Sequence, residues 1–514
     1  MSGGGEPGRA RQYLLLVAGG ATLALAFPPV DFVPAAFLAL VPLLYVLRRR
    51  KASGLWRAFA PGFIYGLSFF VPLLYWLVFL SSQEMDNPVV MSGPLVLLTV
   101  YQAVFLGLFS ATAVRVGSST RVPAWVYVPV LWVAFEQLRS LGVLGFTWGA
   151  LGYAGAATNP VPAQFASVTG VFGVSFWMAL VNVLVLEALF ARRRRRALLT
   201  VACAVVFVLP WVHGLAVLRS ASSEPARTLR VAVVQPNIAA EKKWDAAYKD
   251  MSFEVLAALT RLAAVESPDL VVWPETAAPS YLLREPEYLA KVAEAAAQAG
   301  APVLTGCPDL EFDTNTGELL TRNSVLLVAP DGTVSDKYDK IHLVPFGEAI
   351  PFETVFPVLE RVDFGEADFT PGERRVVFEA GDARFSALIC FESIFPRLAR
   401  EFVDGGAELL VNVTNDVWYG RTSMPFQHAA MACMRSIENR RGLARSANSG
   451  VSLVTDPHGR IVSRLGIFER GVIVEDIPLV RETTFYARHG DVFPWAASIL
   501  ALALLALAAV PRQR

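Results

Sequence analysis

Seven long apolar runs, nearly free of charge, dominate the first 219 residues, and an eighth closes the chain. They cover roughly 12–30, 32–47, 58–80, 88–114, 122–138, 164–190, 198–218 and 492–510. About 20 apolar residues cross the hydrocarbon core of a bilayer, so this pattern predicts a multi-pass helical membrane domain. Composition agrees: 54% of the 514 residues are hydrophobic and 18% are charged, whereas an ordinary soluble domain is about a quarter charged. Such a chain is not disordered. Its 45 basic and 45 acidic side chains also leave no overall basic excess for a nucleic-acid binder. Arg9 and Arg11 ahead of the first run are compatible with a signal peptide. Six further runs follow, however, and no convincing small-residue cleavage site appears, so a first span is expected.

The zero net charge conceals an asymmetry. Residues 1–219 hold 16 Lys+Arg against 6 Asp+Glu, and the remainder holds 29 against 39. If the spans alternate, Arg9, Arg11, Arg48–Lys51, Arg57, Arg115, Arg121, the block Arg192–Arg196, Arg512 and Arg514 share one side. By the positive-inside rule that side is cytoplasmic. Both termini are then expected in the cytoplasm, and the segment from about 220 to 490 outside, on the periplasmic face of a bacterial inner membrane. A nuclear signal or nucleic-acid patch explains the Arg block less well, because the block lies between two spans. Glu136 and Arg139, three residues apart, are expected to pair on one helix face. No chain of buried ionisable residues runs through the spans, which argues against a transporter.

From Thr228 to about Glu482 the texture changes. Short apolar runs, Arg230–Gln235, Leu270–Trp273, Val303–Thr305, Ser324–Val328, Phe385–Cys390 and Leu409–Val413, predict buried strands. Phe253–Val265, Pro286–Ala299 and Gln427–Asn439 predict helices, with Pro286 opening and Gly300 closing the second. The expected organisation is a seven-helix membrane domain over 1–219, an α/β domain over 220–485, and a final span with a short tail over 486–514.

Three groups with chemical potential recur in this outer segment. The strand Leu270–Trp273 runs into Pro274 and Glu275. A second segment reads Tyr338-Asp339-Lys340-Ile341-His342-Leu343-Val344-Pro345-Phe346-Gly347-Glu348, and a third strand ends in Leu388-Ile389-Cys390-Phe391-Glu392. The sequence reading puts the carboxylate and the thiol at strand ends and the ammonium in a loop. Taken singly, Glu275 serves equally as a helix cap, Lys340 as a solvated cation and Cys390 as a small core residue. Taken together, in this order and 65 then 50 residues apart, they resemble the Glu-Lys-Cys pattern of the nitrilase superfamily. Val231–Asn237 (VAVVQPN) and Asn412–Gly420 (NVTNDVWYG) are similar to that superfamily too. Seven spans, a nitrilase-like domain and one last span resemble the apolipoprotein N-acyltransferase family over nearly the whole length. Phe27-Pro28-Pro29 and the Lys340–Glu348 segment look like signatures of that family.

The resemblance implies an α-helical bundle of eight spans plus an α-β-β-α sandwich. It also implies transfer of a fatty acyl chain from a phospholipid to the N-terminal α-amine of a diacylated apolipoprotein. Cys390 is then the expected nucleophile, Glu275 its base, and Lys340 the cation favouring thiolate and oxyanion. A free thiol with a pKa of about 8.5 needs such help near neutrality. Glu348 and Glu392 are supporting candidates, either orienting Lys340 or sharing a proton with Glu275. Phe391 stands where the family resemblance leads one to expect Tyr, so its backbone N–H is the relevant group there. Trp244, Trp418 and Phe356 are candidate substrate contacts. Phe356 belongs to an apolar stretch, Ile350–Phe369, which is a candidate lipid-facing arm.

His213, His342, His428, His458 and His489 are scattered without metal-ligand spacing, and no Gly-rich phosphate loop follows a strand, so neither metal nor cofactor is expected. The expected partners are the bilayer, the phospholipid donor and the apolipoprotein acceptor, with no nucleic acid; a monomer is expected. Cys307 and Cys433 have no assignable pairing from sequence. A membrane-anchored amidase passing the thioester to water is the alternative with the same three groups. An inactive lipid-binding scaffold is the alternative from another class.

Overall fold

Among the described residues, four helices are long and apolar enough to cross a membrane: Ser92–Ser119, Val171–Phe190, Arg193–Ser220 and Val492–Ala509. They belong to a computed structural model describing residues 8–50, 54–79, 88–221, 227–239, 248–313, 317–350 and 369–510. The chain divides into two units, Met1–Ala221 with Asp491–Arg514, and Ser222–Gly490.

In the first unit, the other apolar runs fold into helices that are shorter or less apolar. The run expected over 12–30 carries Arg9–Ala24, and that over 32–47 carries a five-residue 3-10 helix, Val33–Phe37, and an eight-residue helix, Val41–Arg48. The prolines at 28, 29, 34 and 42 have no amide hydrogen to donate, so hydropathy and helix length part company here. The run over 122–138 carries Ala124–Leu138, and that over 58–80 carries Leu55–Leu73 followed by a 3-10 turn, Tyr75–Phe79. Leu55–Leu73 and Pro88–Ser119 pack through small residues. A Cβ at Gly62 would lie 2.0 Å from Leu106 O, and one at Gly66 would lie 2.9 Å from Ala103 Cα. Only glycine permits this approach, which brings Ser110 Oγ within 2.6 Å of Ala58 O. In lipid, where hydrophobic burial gives no net drive, such close packing holds helices together. Glu136 and Arg139 do not pair as expected. Glu136 Oε1 accepts from Trp132 Nε1 and the Leu151 amide at 2.9 and 2.8 Å. Arg139 donates to Gln102 Oε1, Phe146 O and Trp148 O. Both side chains tie down the loop after their own helix, because backbone carbonyls and amides buried there need partners.

The second unit contains two six-stranded sheets. The first has the order β12-β1-β2-β3-β4-β5, built from β1 (Thr228–Gln235), β2 (Leu270–Val272), β3 (Val303–Phe312), β4 (Leu319–Val328), β5 (Val334–Asp339) and β12 (Gly471–Pro478). The second has the order β11-β10-β9-β8-β7-β6, from β6 (Phe378–Ala380), β7 (Ala383–Ile389), β8 (Leu409–Thr414), β9 (Gly442–Ala447), β10 (Ser452–Thr455) and β11 (Ile461–Leu465). Each sheet has a parallel centre, β1/β2/β3 and β7/β8/β9, with antiparallel strands at its flanks. Apart from β9, which is wholly buried yet carries Arg445 and Ser446, the buried centres read as largely apolar runs, the pattern of strands covered on both faces. Ala232, Val234, Val271 and Val303 pack with Phe253, Leu256, Val292 and Ala296 from the helices Lys249–Ala264 and Pro286–Ala299. The alternate residues of β1 face the other sheet, where the Ser452 amide donates to Gln235 Oε1 at 3.2 Å. The helices Pro396–Asp404 and Met424–Asn439 cover the second sheet; Ser436 Oγ, for instance, lies 2.7 Å from Thr455 Oγ1.

All six expected strands and three expected helices are present. Pro286 opens its helix, and Gly300 ends it in the left-handed conformation at φ +66°. Lys340, expected in a loop, directly follows β5, and its amide continues the ladder by donating to Asn323 O at 2.8 Å. The flanking strands β5, β6, β11 and β12 carry weaker apolar patterns because one side of each is less covered. Trp244, Phe356 and nearly all of the expected arm, 351–368, lie outside the described residues. Cys307 and Cys433 are buried free thiols.

One glycine decides where the first sheet delivers its carboxylate. A Cβ at Gly306 would lie 2.5 Å from Thr276 N, 2.7 Å from Glu275 Cα and 2.8 Å from Pro274 O. These are backbone atoms with nowhere to move. Gly306→Ala in the full-length protein is expected to lose about 1–3 kcal/mol through overpacking, read as a lower thermal midpoint in detergent. An unchanged midpoint would show that this segment can shift freely.

Candidate active site

The ends of β2, β5, β7 and β8 converge on one buried polar site. Glu275, two residues past Trp273, is 6% exposed, and Lys340 is 1% exposed. Lys340 Nζ lies 2.8 Å from Glu348 Oε1 and 3.3 Å from Glu275 Oε1. Asn323, on β4, sends its amide to both carboxylates, at 2.9 Å from Glu275 and 3.1 Å from Glu348. Glu275 Oε2 accepts the Asn415 amide at 2.9 Å, and Glu348 Oε2 accepts the Val344 amide at 2.9 Å. Burial works against a charged Lys340. The Glu348 and Glu275 carboxylates outweigh it and hold the ammonium well above the ordinary lysine range.

Cys390 opens a 3-10 turn, Cys390–Ile394, immediately after β7. Its backbone adopts φ +51°, a left-handed conformation that costs a non-glycine residue about 1–3 kcal/mol. Burial pushes the thiol well above the usual range. The Glu275 carboxylate adds to that rise, and the Lys340 ammonium opposes it. Both groups therefore act on the sulfur electrostatically. Thr414 Oγ1 lies 3.2 Å from Cys390 Sγ.

Glu348 and Glu392 have different surroundings. Glu348 touches Lys340, as above. Glu392, fully buried, accepts from Tyr338 OH at 2.7 Å, from the Ile341 and His342 amides at 2.7 and 3.1 Å, and from the Ile389 amide at 2.8 Å. It orients neither Lys340 nor Glu275 by direct contact; it ties the backbone after Lys340 to the strand entering Cys390. Burial pushes its carboxyl up to about 7, against the pull of those donors. Phe391 is half-buried, with its ring edge-on to Phe395 at 5.2 Å. Trp418 is half-buried on the turn Asp416–Tyr419.

Several polar residues around these groups went unassigned in the sequence. Asn323 stands on a strand selected for its apolar pattern. Thr414, Asn415 and Asp416 lie within the recognised Asn412–Gly420 segment, whose pattern flagged the region without giving roles. His428 and Arg445 come from a helix and a strand distant in sequence, and only the fold brings them behind Cys390. Among the described residues, no group of three or more His, Cys, Asp or Glu is arranged to hold a metal ion.

Residues 230–485 match the carbon-nitrogen hydrolase family model, and residues 19–184 match that of the apolipoprotein N-acyltransferase N-terminal domain. The apolipoprotein N-acyltransferase of Geobacter metallireducens is 36% identical over 97% of this chain and 95% of its own. That of Chlorobaculum tepidum is 32% identical over 98% and 97%. Among solved structures, an amidase from Nesterenkonia sp. is 21% identical, covering 52% of this chain and 96% of its own with a TM-score of 0.38. The full-length likeness to the two N-acyltransferases, with both halves matched by family models, decides the assignment: this chain belongs to the apolipoprotein N-acyltransferase family.

Proposed function

We propose that the protein is an acyltransferase that moves a fatty acyl chain from a membrane phospholipid to the N-terminal α-amine of a diacylglyceryl-cysteine apolipoprotein, in two steps through Cys390. The observation that carries the residue roles is the buried Lys340 ammonium, 3.3 Å from Glu275 and 2.8 Å from Glu348, acting with Glu275 on a strained Cys390. In the first step Glu275 takes the Cys390 proton and the thiolate attacks the phospholipid ester carbonyl. Lys340 and the Phe391 backbone N–H stabilise the oxyanion, the kind of contribution that is usually largest in acyl transfer. The ester C–O bond breaks, the lysophospholipid alkoxide receives the proton from Glu275, and a thioester remains on Cys390.

In the second step the neutral fraction of the acceptor amine, whose ordinary pKa is about 7.7–8.0, attacks the thioester carbon. The C–S bond breaks. The proton lost by the nitrogen passes to Glu275 and on to the departing thiolate, restoring the thiol and leaving an amide. Exclusion of water protects the thioester between the steps, and the burial of Cys390, 9% exposed, supports that. Glu348 holds Lys340 in place; Glu392 is a positioning residue.

The assignment extends to topology. Residues 1–219 and 486–514 form an eight-span membrane domain with both termini cytoplasmic, and residues 220–485 form the periplasmic catalytic domain. The distribution of arginines supports the orientation, and the four long apolar helices among the described residues support a membrane-spanning unit. The protein acts as a monomer in the bacterial inner membrane.

Purified protein given phospholipid and a diacylated lipopeptide is expected to form amide-linked acyl product, and Cys390→Ala to lose at least about a thousandfold of that rate. Free fatty acid without acylated peptide would instead identify a hydrolase that passes the thioester to water. Glu392→Gln cannot accept hydrogen bonds on both carboxyl atoms, so it should loosen the Cys390 turn and slow acylation of Cys390 by at least about tenfold. A rate within twofold of wild type would remove Glu392 from the positioning role. Because its folded pKa is raised to about 7, above an unfolded value of about 4.3, Glu392 favours the folded state below the unfolded value. That contribution is lost as pH rises through about 7. The variant should lack this component in a pH series of thermal midpoints.

A further inference from the structure

Behind Cys390 lies a second buried polar cluster that takes no part in the two transfer steps. Thr414, the last residue of β8, places its Oγ1 3.2 Å from Cys390 Sγ and 3.0 Å from Asp416 Oδ1. The Asp416, His428 and Arg445 side chains are wholly buried. Arg445 Nη2 lies 2.9 Å from Asp416 Oδ2 and 3.0 Å from His428 Nδ1, and its Nη1 donates to Asn412 Oδ1. His428 Nδ1 is also 3.2 Å from Asp416 Oδ1, and His428 Nε2 lies 3.0 Å from Cys390 O and 2.9 Å from Ser393 Oγ.

These contacts assign a protonation pattern. Burial, aided by Arg445, lowers the His428 pKa, so the ring is neutral. Its single proton belongs on Nε2, donated to Cys390 O, which leaves the Nδ1 lone pair to accept from Arg445. Asp416 stays anionic: burial alone would raise its pKa, but the Arg445 guanidinium at 2.9 Å holds it below the ordinary carboxylate range. The Thr414 hydroxyl has one proton and two acceptors, a permanent carboxylate on one side and a titrating sulfur on the other. Nothing else about Thr414 requires this arrangement. Valine fills the same space in a buried strand.

We propose that Thr414 is a hydroxyl switch for the nucleophile: its proton rests on Asp416 Oδ1 while Cys390 is a thiol, and turns to Sγ when Glu275 removes the thiol proton. No proton changes residue at Thr414; one O–H···O hydrogen bond is exchanged for one O–H···S bond. When the thioester forms and the sulfur loses its charge, the hydroxyl returns to Asp416. Arg445 and His428 are positioning residues that keep Asp416 charged and the Cys390 carbonyl anchored. The switch answers a specific difficulty. Burial, Glu275 and Asp416 all disfavour the thiolate, and Lys340, its charged counterweight, is shared with Glu275 and Glu348. Among the described residues, Tyr419 also interacts with the sulfur, and His428 meets the Cys390 carbonyl. A rotating neutral donor adds thiolate stabilisation without adding a charge.

This inference rests on Cys390 being the nucleophile, and the test separates the two. In full-length protein in detergent, the rate of Cys390 alkylation by iodoacetamide is measured against pH for wild type, Thr414→Val and Thr414→Ser. Thr414→Val should fold normally and displace the curve upward by about one pH unit, an about tenfold lower rate at any pH on the rising limb. Its acyl-enzyme formation should slow by a similar factor, and Thr414→Ser should restore both. A Thr414→Val curve superimposed on wild type would overturn the switch. So would a Thr414→Ser protein as slow as the valine variant, which would mean that the methyl group and packing matter rather than the hydroxyl. Acyl transfer surviving in Cys390→Ala would refute the nucleophile assignment alone, since alkylation reports the thiol whatever the reaction.

Discussion

The buried polar site of the second unit depends on one charge that could not be buried alone. Lys340, 1% exposed, sits at hydrogen-bond distance from two carboxylates, and Asn323 bridges the same pair. Removing one member of a buried ion network typically costs about 3–5 kcal/mol, because an uncompensated charge is left behind. That penalty is a constraint on geometry. Glu275 arrives from β2, Lys340 from β5 and Glu348 from the segment beyond, so the ends of the first sheet must be in register for the charges to meet. The second sheet then brings Cys390 and Asn415 to the same place, and the Asn415 amide closes on Glu275 Oε2. Fold and site are one electrostatic problem.

The two carboxylates first grouped as supporting candidates solve different parts of it. Glu348 belongs to the charge network. Glu392 belongs to the backbone, spending its oxygens on three amides and the Tyr338 phenol. By joining the turn after Lys340 to the entry of Cys390, it links the loop carrying the cation to the turn carrying the thiol. Its elevated pKa follows from burial, which the hydrogen-bond donors and Lys340 only partly offset.

Much of this was legible in the sequence, and the gaps have physical causes. Parallel central strands show because burial on both faces leaves uninterrupted Val, Leu and Ile runs, as in Leu409–Val413. Six strands were missed: β5, β6, β11 and β12 because one side is only partly covered, β10 because it is four residues long, and the central β9 because Arg445 and Ser446 break its apolar pattern although it is wholly buried. Glu275, Lys340 and Cys390 were found jointly by spacing, where none was informative singly. Asn323, His428 and Arg445 were not found. Their relevance depends on contacts across 48, 38 and 29 residues, to Glu275, Cys390 and Asp416 respectively, which no local pattern encodes. In the membrane unit, hydropathy marked apolar runs correctly but overstated helix length where prolines interrupt them, as at 28–42.

The central claim is that the acyl chain resides on Cys390 between donor and acceptor. It is tested most directly by mass spectrometry of the wild-type protein after exposure to phospholipid of one defined acyl length, with no acceptor present. The account predicts that the peptide containing Cys390 gains the mass of that acyl group as a hydroxylamine-labile thioester, and that added diacylated lipopeptide discharges it into an amide. An unmodified Cys390 in a preparation that nevertheless turns over, or an acyl group found on another residue and discharged by the acceptor, would contradict it.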